Sequence, residues 1–118
     1  MASIGVPREI KADEQRVALT PDAVRELVSH GLEVRIQSGA GDGAGIADEA
    51  FAAAGAEVVT CEQAWGAHLV VKVKEPQPEE FRFLRKDMVL FTYLHLAAYP
   101  QVGEALLEAG TASIAYET

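Results

Sequence analysis

Short runs rich in valine and isoleucine alternate with helical patterns along all 118 residues, and this alternation limits the possible folds more than any other feature. Several runs have their apolar residues in blocks, as strands covered on both faces do. Alternation at this spacing predicts an α/β fold in three αβα layers, with a mostly parallel sheet and right-handed crossovers. The predicted strands are Ser3–Val6, Glu33–Gln37, Glu57–Thr60, Leu69–Lys74, Met88–Tyr93 and Ser113–Tyr116.

Helix start and stop signals fill the segments between these strands. Thr20 is the predicted cap of the first helix, Pro21 stands at its first position, and Gly31 ends it. Four further starts are predicted at Asp48 (cap of a helix through Phe51), Thr60 (a capping box with Gln63), Pro78 (a helix through Leu84) and Pro100 (a helix with Val102, Leu106 and Leu107 facing the core).

The charge balance restricts the class of partner. The chain has 10 Lys and Arg residues against 18 Asp and Glu residues, a net charge of −8. An acidic surface is unsuited to nucleic acid and to an anionic membrane. The single cysteine, Cys61, allows no disulfide within the chain, which fits a reducing compartment. Because no apolar run reaches the ~18 residues of a membrane span and no signal peptide is recognisable, a cytoplasmic protein is expected.

Lys74 is the first candidate for a ligand contact. Ligands of open parallel sheets bind beyond the carboxyl ends of the strands. Lys74 is predicted as the last residue of the fourth strand, before Pro76, and on the same strand face as Lys72 because side chains alternate with period two. Its ammonium could bind a carboxylate or a carbonyl oxygen. Alternatively, it is a solvated lysine beside Glu75.

Two further ionisable residues are predicted at the same edge. His95 ends the fifth apolar strand, where an imidazole could pass a proton to or from a carbonyl oxygen; alternatively, a backbone group holds it for structure. Arg16 precedes the first helix, and its planar fork suits a carboxylate. The alternative for Arg16 is a salt bridge to Glu14 or Asp13. Together with Lys74, these residues suit a small molecule with one carboxylate and one carbonyl.

The glycine-rich loop at residues 39–44 fits a permissive form of the dinucleotide-binding pattern. We predict an ordinary turn instead, because the next helix is expected only near Asp48, too far on for the loop to be its first turn. Asp42 would also repel a pyrophosphate. Glycines allow the positive φ values that such a turn needs. No cofactor site and no metal site are therefore predicted within this chain.

Six blocks of the sequence resemble, in order, the amino-terminal pattern of alanine dehydrogenases. The most specific are Lys-Val-Lys-Glu-Pro at 72–76 and Leu-His-Leu-Ala at 94–97, and the resemblance extends over residues 3–118. Proton-translocating nicotinamide nucleotide transhydrogenases share the opening blocks but usually lack the lysine-glutamate form of the fourth block and the histidine of the fifth. The six blocks are residues 4–11, 16–21, 37–41, 71–76, 90–97 and 114–118.

The resemblance implies a flavodoxin- or Rossmann-like catalytic domain and specific roles. Arg16 would bind the carboxylate of pyruvate or L-alanine, Lys74 would bind the substrate and polarise its carbonyl oxygen, and His95 would be the general acid and base. The family reaction converts L-alanine, NAD and water to pyruvate, ammonia and NADH. Relatives bind NAD on a second domain and form homo-oligomers, typically hexamers.

The resemblance also implies that residues 1–118 are a truncated substrate domain. Alone, such a chain is expected to be inactive, and apolar surface left without its covering helices is expected to favour self-association. Two alternatives stay open. One is domain I of a transhydrogenase α subunit, and the other is a non-catalytic partner module.

Overall fold

The computed structural model describes residues 2–92 and 100–115, and its centre is a six-stranded sheet in which neighbouring strands all run parallel. The order across the sheet is β3-β2-β1-β4-β5-β6. This arrangement confirms the predicted α/β fold. The strands are β1 (Ser3–Val6), β2 (Glu33–Gln37), β3 (Glu57–Val59), β4 (Leu69–Val71), β5 (Val89–Thr92) and β6 (Ala112–Ala115).

Helices connect successive strands, as parallel pairing requires. They are α1 (Pro21–Ser29), α2 (Asp48–Ala53), α3 (Cys61–Trp65) and α4 (Pro100–Ala109), with short 3-10 helices at Asp42–Ala44 and Pro78–Phe83. From β1 the chain steps outward to β2 and β3. Helix α3 then returns it across the sheet to β4, on the other side of β1. The strand order thus reverses between β1 and β4, which is where ligands of open α/β sheets bind.

Two apolar clusters cover opposite faces of the sheet. Helices α1 and α2 contribute Val24 and Phe51 to the first cluster, whereas α3 and α4 contribute Trp65 and Val102 to the second. The sheet contributes Val34 and Ile36 to the first and Val70 and Leu90 to the second. Val70 lies level with Gly5 and Val34 with its neighbour Ile4, so the two sets point to opposite faces. The three predicted layers are therefore present.

Most local signals are confirmed. The Thr20 hydroxyl accepts a hydrogen bond from the Ala23 amide, and Thr60 and Gln63 form the predicted capping box. Gly31 adopts a positive φ of 84° just after α1, as a helix-ending glycine should.

Three of the predictions for the helices are wrong. Ala47, not Asp48, is the N-cap of α2, because the Asp48 carboxylate instead accepts hydrogen bonds from the preceding loop. The helix that Pro78 opens is a 3-10 helix that ends at Phe83. Leu107 is 84% exposed rather than buried in the core, since only Val102 and Leu106 of α4 are buried.

Within the described ranges, no helix has the length and apolar character that crossing a bilayer requires.

Candidate functional site

A cleft of about 380 Å³ lies where the strand order reverses. Its walls come from the loops that follow the carboxyl ends of β1, β2 and β4, so it occupies the position that the sheet topology predicts for a ligand. Most of the lining is apolar, with Arg16 as its charged member. The lining residues are Arg16, Val17, Ala18, Thr20, Ala44, Ile46 and Val73.

Arg16 also lines a smaller, polar cavity of about 90 Å³. Arg8 is a second arginine in its lining, and the glycine-rich loop closes one side. The same loop after β1 therefore presents cationic groups to both cavities. The lining residues are Arg8, Glu9, Glu14, Gln15, Arg16, Gly39, Ala40 and Gly43.

Glu14 holds the guanidinium of Arg16. Arg16 Nε and Nη2 each donate to one carboxylate oxygen of Glu14 at 2.9 Å, and the Arg16 amide donates to the same carboxylate. The side-chain hydrogen bond from Arg16 lowers the pKa of Glu14 to about 2, so the pair is ionised at neutral pH. Of the two predicted alternatives, the salt bridge is formed, and its partner is Glu14. The fork is thus oriented before any ligand arrives.

Lys74 lies close enough to this pair to act on it. Its positive charge contributes to the lowered pKa of Glu14. The sequence prediction for its backbone was wrong, however, because β4 ends at Val71. One further ladder bond, from the Lys72 amide to the Phe91 carbonyl at 3.0 Å, carries the pairing just past the strand. Lys74 therefore lies in the connection beyond the strand, where backbone groups need other partners.

The backbone of Lys74 has such partners on both sides. The Lys74 amide donates to the Glu9 carboxylate at 3.2 Å, and the Thr92 hydroxyl donates to the Lys74 carbonyl oxygen at 2.8 Å. Glu9 follows β1, and Thr92 is the last residue of β5. One residue beyond β1 and one at the end of β5 therefore fix the backbone position from which the Lys74 side chain extends.

Lys72 differs sharply from Lys74, which contradicts the prediction that the two share one strand face. The side chain of Lys72 is 1% exposed; its ammonium lies 2.9 Å from Glu9 and 3.5 Å from Glu80. Burial raises the pKa of Glu80 above its ordinary value, with Lys72 opposing that rise. This buried cluster was not found from the sequence. Two of its members, Glu9 and Lys72, are more than 60 positions apart in the sequence, and no local pattern links them.

Glu75, the neighbour named in the solvated alternative for Lys74, pairs with Lys11. Its carboxylate accepts two hydrogen bonds from the Lys11 ammonium, at 3.0 and 2.9 Å. Gln77 donates to the same group. His95, the third predicted site residue, lies outside the described residues.

The glycine-rich loop is built as a turn against α2. Gly39 has a positive φ of 82°, and its amide donates to the Asp48 carboxylate at 2.9 Å. A Cβ on Gly41 would lie 2.5 Å from the Ile46 carbonyl oxygen. Helix α2 begins at Asp48, as the sequence indicated. The loop's first amide is thus bound by an acid, so the loop is not shaped as a pyrophosphate cradle. In the part of the chain that the structure describes, no group of three or more His, Cys, Asp or Glu side chains could hold a metal.

Comparison with known proteins agrees with this architecture. The alanine dehydrogenase of Bacillus subtilis is 54% identical over 116 residues, and that of Mycolicibacterium smegmatis is 56% identical over 117. Each match covers 98% of this chain but only 31% and 32% of the relative. The chain thus spans about a third of the length of these relatives.

Solved structures give the same result. An L-alanine dehydrogenase superposes with a TM-score of 0.96 at 52% identity, covering 98% of this chain and 32% of that one. A transhydrogenase from Sinorhizobium meliloti superposes with a TM-score of 0.89 at 29% identity, covering 96% and 34%. Residues 5–118 match the family described as "Alanine dehydrogenase/PNT, N-terminal domain". The resemblance expected from the sequence is confirmed, and the chain belongs to this family of amino-terminal domains.

Proposed function

We propose that residues 1–118 form the part of an NAD-dependent alanine dehydrogenase that binds the 2-oxo acid, pyruvate, or the amino acid L-alanine. One observation carries the proposal. Arg16 follows β1 and Lys74 follows β4, the two strands that flank the reversal of strand order, and both cations act on Glu14. The guanidinium of Arg16 in a largely apolar cleft, with the charge of Lys74 close enough to act on its partner Glu14, suits a small anion with a methyl group. We place the protein in the cytoplasm, where its single cysteine fits a reducing environment.

Each side chain has a role in the proposed reaction. Arg16 attracts the substrate carboxylate with the positive charge of the guanidinium that Glu14 orients, and so fixes the position of the molecule. Lys74 donates a hydrogen bond to the carbonyl oxygen and stabilises negative charge that develops there. His95 moves the proton on and off that oxygen as ammonia adds and water leaves. In the sequence, His95 comes three residues after β5, and β5 is the neighbour of β4 in the sheet.

The nicotinamide cofactor belongs to another part of the proposed enzyme. When bound, NAD accepts the hydride from the substrate. In the glycine-rich loop at residues 39–44, the first amide donates a hydrogen bond to the Asp48 carboxylate, so the loop does not fit a pyrophosphate. We therefore assign no cofactor contact to the described residues and expect this chain alone to have no dehydrogenase activity.

Two rival functions make different demands on the same site. A transhydrogenase domain transfers hydride between two nucleotides and needs no 2-oxo acid site. A non-catalytic module needs neither a nucleotide nor a 2-oxo acid site. The alanine dehydrogenase relatives, at 54% and 56% identity, favour the first proposal over the transhydrogenase structure at 29%.

Pyruvate titration of the 118-residue chain tests the proposal. We expect wild type to bind pyruvate and R16A to bind it roughly 10- to 100-fold more weakly, because a charge-assisted contact is lost. R25A is the matched control: Arg25 also pairs with a carboxylate, Asp22 at 2.6 Å, but on the exposed side of α1. Isothermal titration calorimetry measures both. A wild-type chain that binds no pyruvate, or R16A and R25A with equal affinity, would contradict the proposal.

We also propose that the chain associates with itself through the sheet face opposite α3 and α4. On that face, Leu69, Val89 and Ala112 lie level on β4, β5 and β6, and Ile114 is 53% exposed. None of these four belongs to either apolar cluster described above. Exposed contiguous apolar surface favours association.

The substitution I114K should reduce this association. A charge on β6, within this apolar surface, must be desolvated if two such faces meet. Sedimentation velocity over a concentration series should show I114K shifted toward monomer relative to wild type. L107K is the control, since Leu107 is equally apolar and more exposed but lies on α4. A monomeric wild type at high concentration, or a larger effect of L107K, would count against this surface.

A further inference from the structure

We propose that Glu9 is a positioning residue for Lys74. Its buried carboxylate holds the backbone at the start of the connection that follows β4, so that the Lys74 ammonium meets the substrate. The inference rests on the proposed function, since it concerns the same oxo-acid site. Glu9 itself does not touch the substrate in this scheme. It acts through the residue that does.

The contacts of Glu9 carry the proposal. Its carboxylate accepts from the amides of two consecutive residues, Val73 at 2.9 Å and Lys74 at 3.2 Å. Val73 lines the 380 Å³ cleft. Glu9 lies three residues beyond β1, whereas Val73 and Lys74 lie just beyond β4. One side chain therefore fastens together the two loops that flank the reversal of strand order.

A second contact holds the other side of the same residue. The Thr92 hydroxyl donates to the Lys74 carbonyl oxygen at 2.8 Å, and Thr92 is fully buried. With its amide bound to Glu9 and its carbonyl bound to Thr92, Lys74 is fixed at both backbone groups without belonging to a strand. An ammonium on a four-carbon stem gains directional precision from such a fixed base.

The charge of Lys72 keeps Glu9 in place. The Lys72 ammonium and the Glu9 carboxylate are 2.9 Å apart, and their side chains are 1% and 2% exposed. Separating them would leave an uncompensated buried charge, which is strongly unfavourable. The ion pair therefore keeps the Glu9 carboxylate within hydrogen-bonding distance of the two amides.

Glu80 provides an internal control. It lies against the same lysine, at 3.5 Å, and is almost as buried as Glu9. The Glu80 carboxylate, however, accepts a hydrogen bond from the Gln77 amide at 2.9 Å and none from the backbone of Lys74. E9Q and E80Q each replace a carboxylate beside Lys72 with an amide, but only E9Q replaces one of the two oxygens that accept from the Val73 and Lys74 amides with an NH2 donor.

The experiment compares the two variants in the 118-residue chain by NMR. In E9Q we expect the Val73 and Lys74 amides to exchange with solvent roughly tenfold faster or more, and the Kd for pyruvate to rise about tenfold. In E80Q both quantities should stay within about twofold of wild type. Equal effects of E9Q and E80Q would mean that the cluster serves stability alone, and would overturn the inference.

A double-mutant cycle with Lys74 separates positioning from a general structural effect. If Glu9 acts through Lys74, E9Q added to K74A should change the Kd for pyruvate by less than about twofold. An undiminished tenfold effect in the K74A background would overturn the inference. If E9Q does not fold, the triple variant E9A/K72M/E80Q removes the whole buried cluster of charges together, and the same amide and affinity changes are expected of it.

Failure of the proposed function would look different. A wild-type chain that binds no pyruvate contradicts the substrate assignment itself. The exchange rates at Val73 and Lys74 then decide whether Glu9 orders that backbone: full protection retained in E9Q overturns the inference, and its loss in E9Q alone supports the inference.

Discussion

Replacing Lys74 with methionine is expected to lower kcat/KM for the reductive amination of pyruvate by about 10²- to 10³-fold, the loss typical of one electrostatic donor at a developing oxyanion. The measurement needs a complete enzyme, so we suggest a chimaera in which this chain replaces the matching amino-terminal third of the Bacillus subtilis alanine dehydrogenase. Methionine keeps the length and apolar stem of lysine and removes the ammonium. Steady-state NADH oxidation reports the rate.

K86M is the control for this substitution. Lys86 is an exposed lysine that precedes β5, so it lies at the amino ends of the strands, away from the cleft. Its replacement should leave kcat/KM within about twofold of the unmodified chimaera, as distant surface substitutions usually do. An inactive chimaera would contradict the alanine dehydrogenase assignment. A K74M enzyme as active as K86M would contradict the role of Lys74.

Lys74 also illustrates why a candidate site can be predicted from the sequence even where the local structure is predicted wrongly. The strand boundary was placed three residues too late, at Lys74 instead of Val71. The rule that ligands bind beyond carboxyl ends of parallel strands does not depend on that boundary. It needs only the identity of the strand and the order of the sheet. The strand is recognisable from its valine block. Its neighbours in the sheet are known only from the structure, because the connection from β3 to β4 passes over two strands.

Local chemistry was likewise readable. The Arg16–Glu14 pair joins residues two apart in the chain, and the Thr60–Gln63 capping box joins residues three apart. Interactions of that range recur in fixed sequence patterns, so the alternatives could be named in advance. Even so, choosing the salt bridge with Glu14 over one with Asp13 required coordinates. Asp13 has a positive φ of 66°, a backbone conformation that no sequence rule assigned to it.

The buried charges could not be predicted in the same way. Lys72 reads from the sequence as a strand lysine, and charged residues are seldom fully buried unless paired. Its partner Glu9 lies 63 positions away, and the two meet only because β1 and β4 are neighbours in the folded sheet. The sequence contains both charges but no pattern that links them. His95, the remaining predicted site residue, stays a prediction from its place in the sequence.

Gly5 should be the least replaceable position of the sheet, and G5A is expected to destabilise the chain by about 3 kcal/mol, the upper range for overpacking. A Cβ at Gly5 would lie 1.8 Å from the carbonyl oxygen of Ala64 and 3.0 Å from the Ala67 side chain. The first of these is a backbone atom and cannot rotate away. For a domain of this size the loss corresponds to a fall in Tm of roughly 10 °C. Thermal unfolding followed by circular dichroism measures it.

G31A is the comparison that isolates the cause. Gly31 has a positive φ of 84°, but a Cβ there would meet nothing within 4 Å. Its replacement should therefore cost only the conformational penalty, about 1 kcal/mol. Equal losses for the two variants would mean that the close approach at Gly5 is relieved by movement of α3.

The reason for so tight an approach lies in the topology. Helix α3 must bring the chain from β3, at one edge, back across β2 and β1 to start β4 on the far side. The whole connection is residues 60–68, and its five-residue helix, Cys61–Trp65, packs against both β1 and β2. Because Gly5 has no side chain, that short crossover fits against β1, and β4 can then pair with β1 at Gly5 and Val70. The adjacency of β1 and β4 brings Arg16 and Val73, the neighbour of Lys74, to one cleft. If that cleft binds pyruvate as proposed, G5A should weaken the binding even in the fraction of molecules that stays folded.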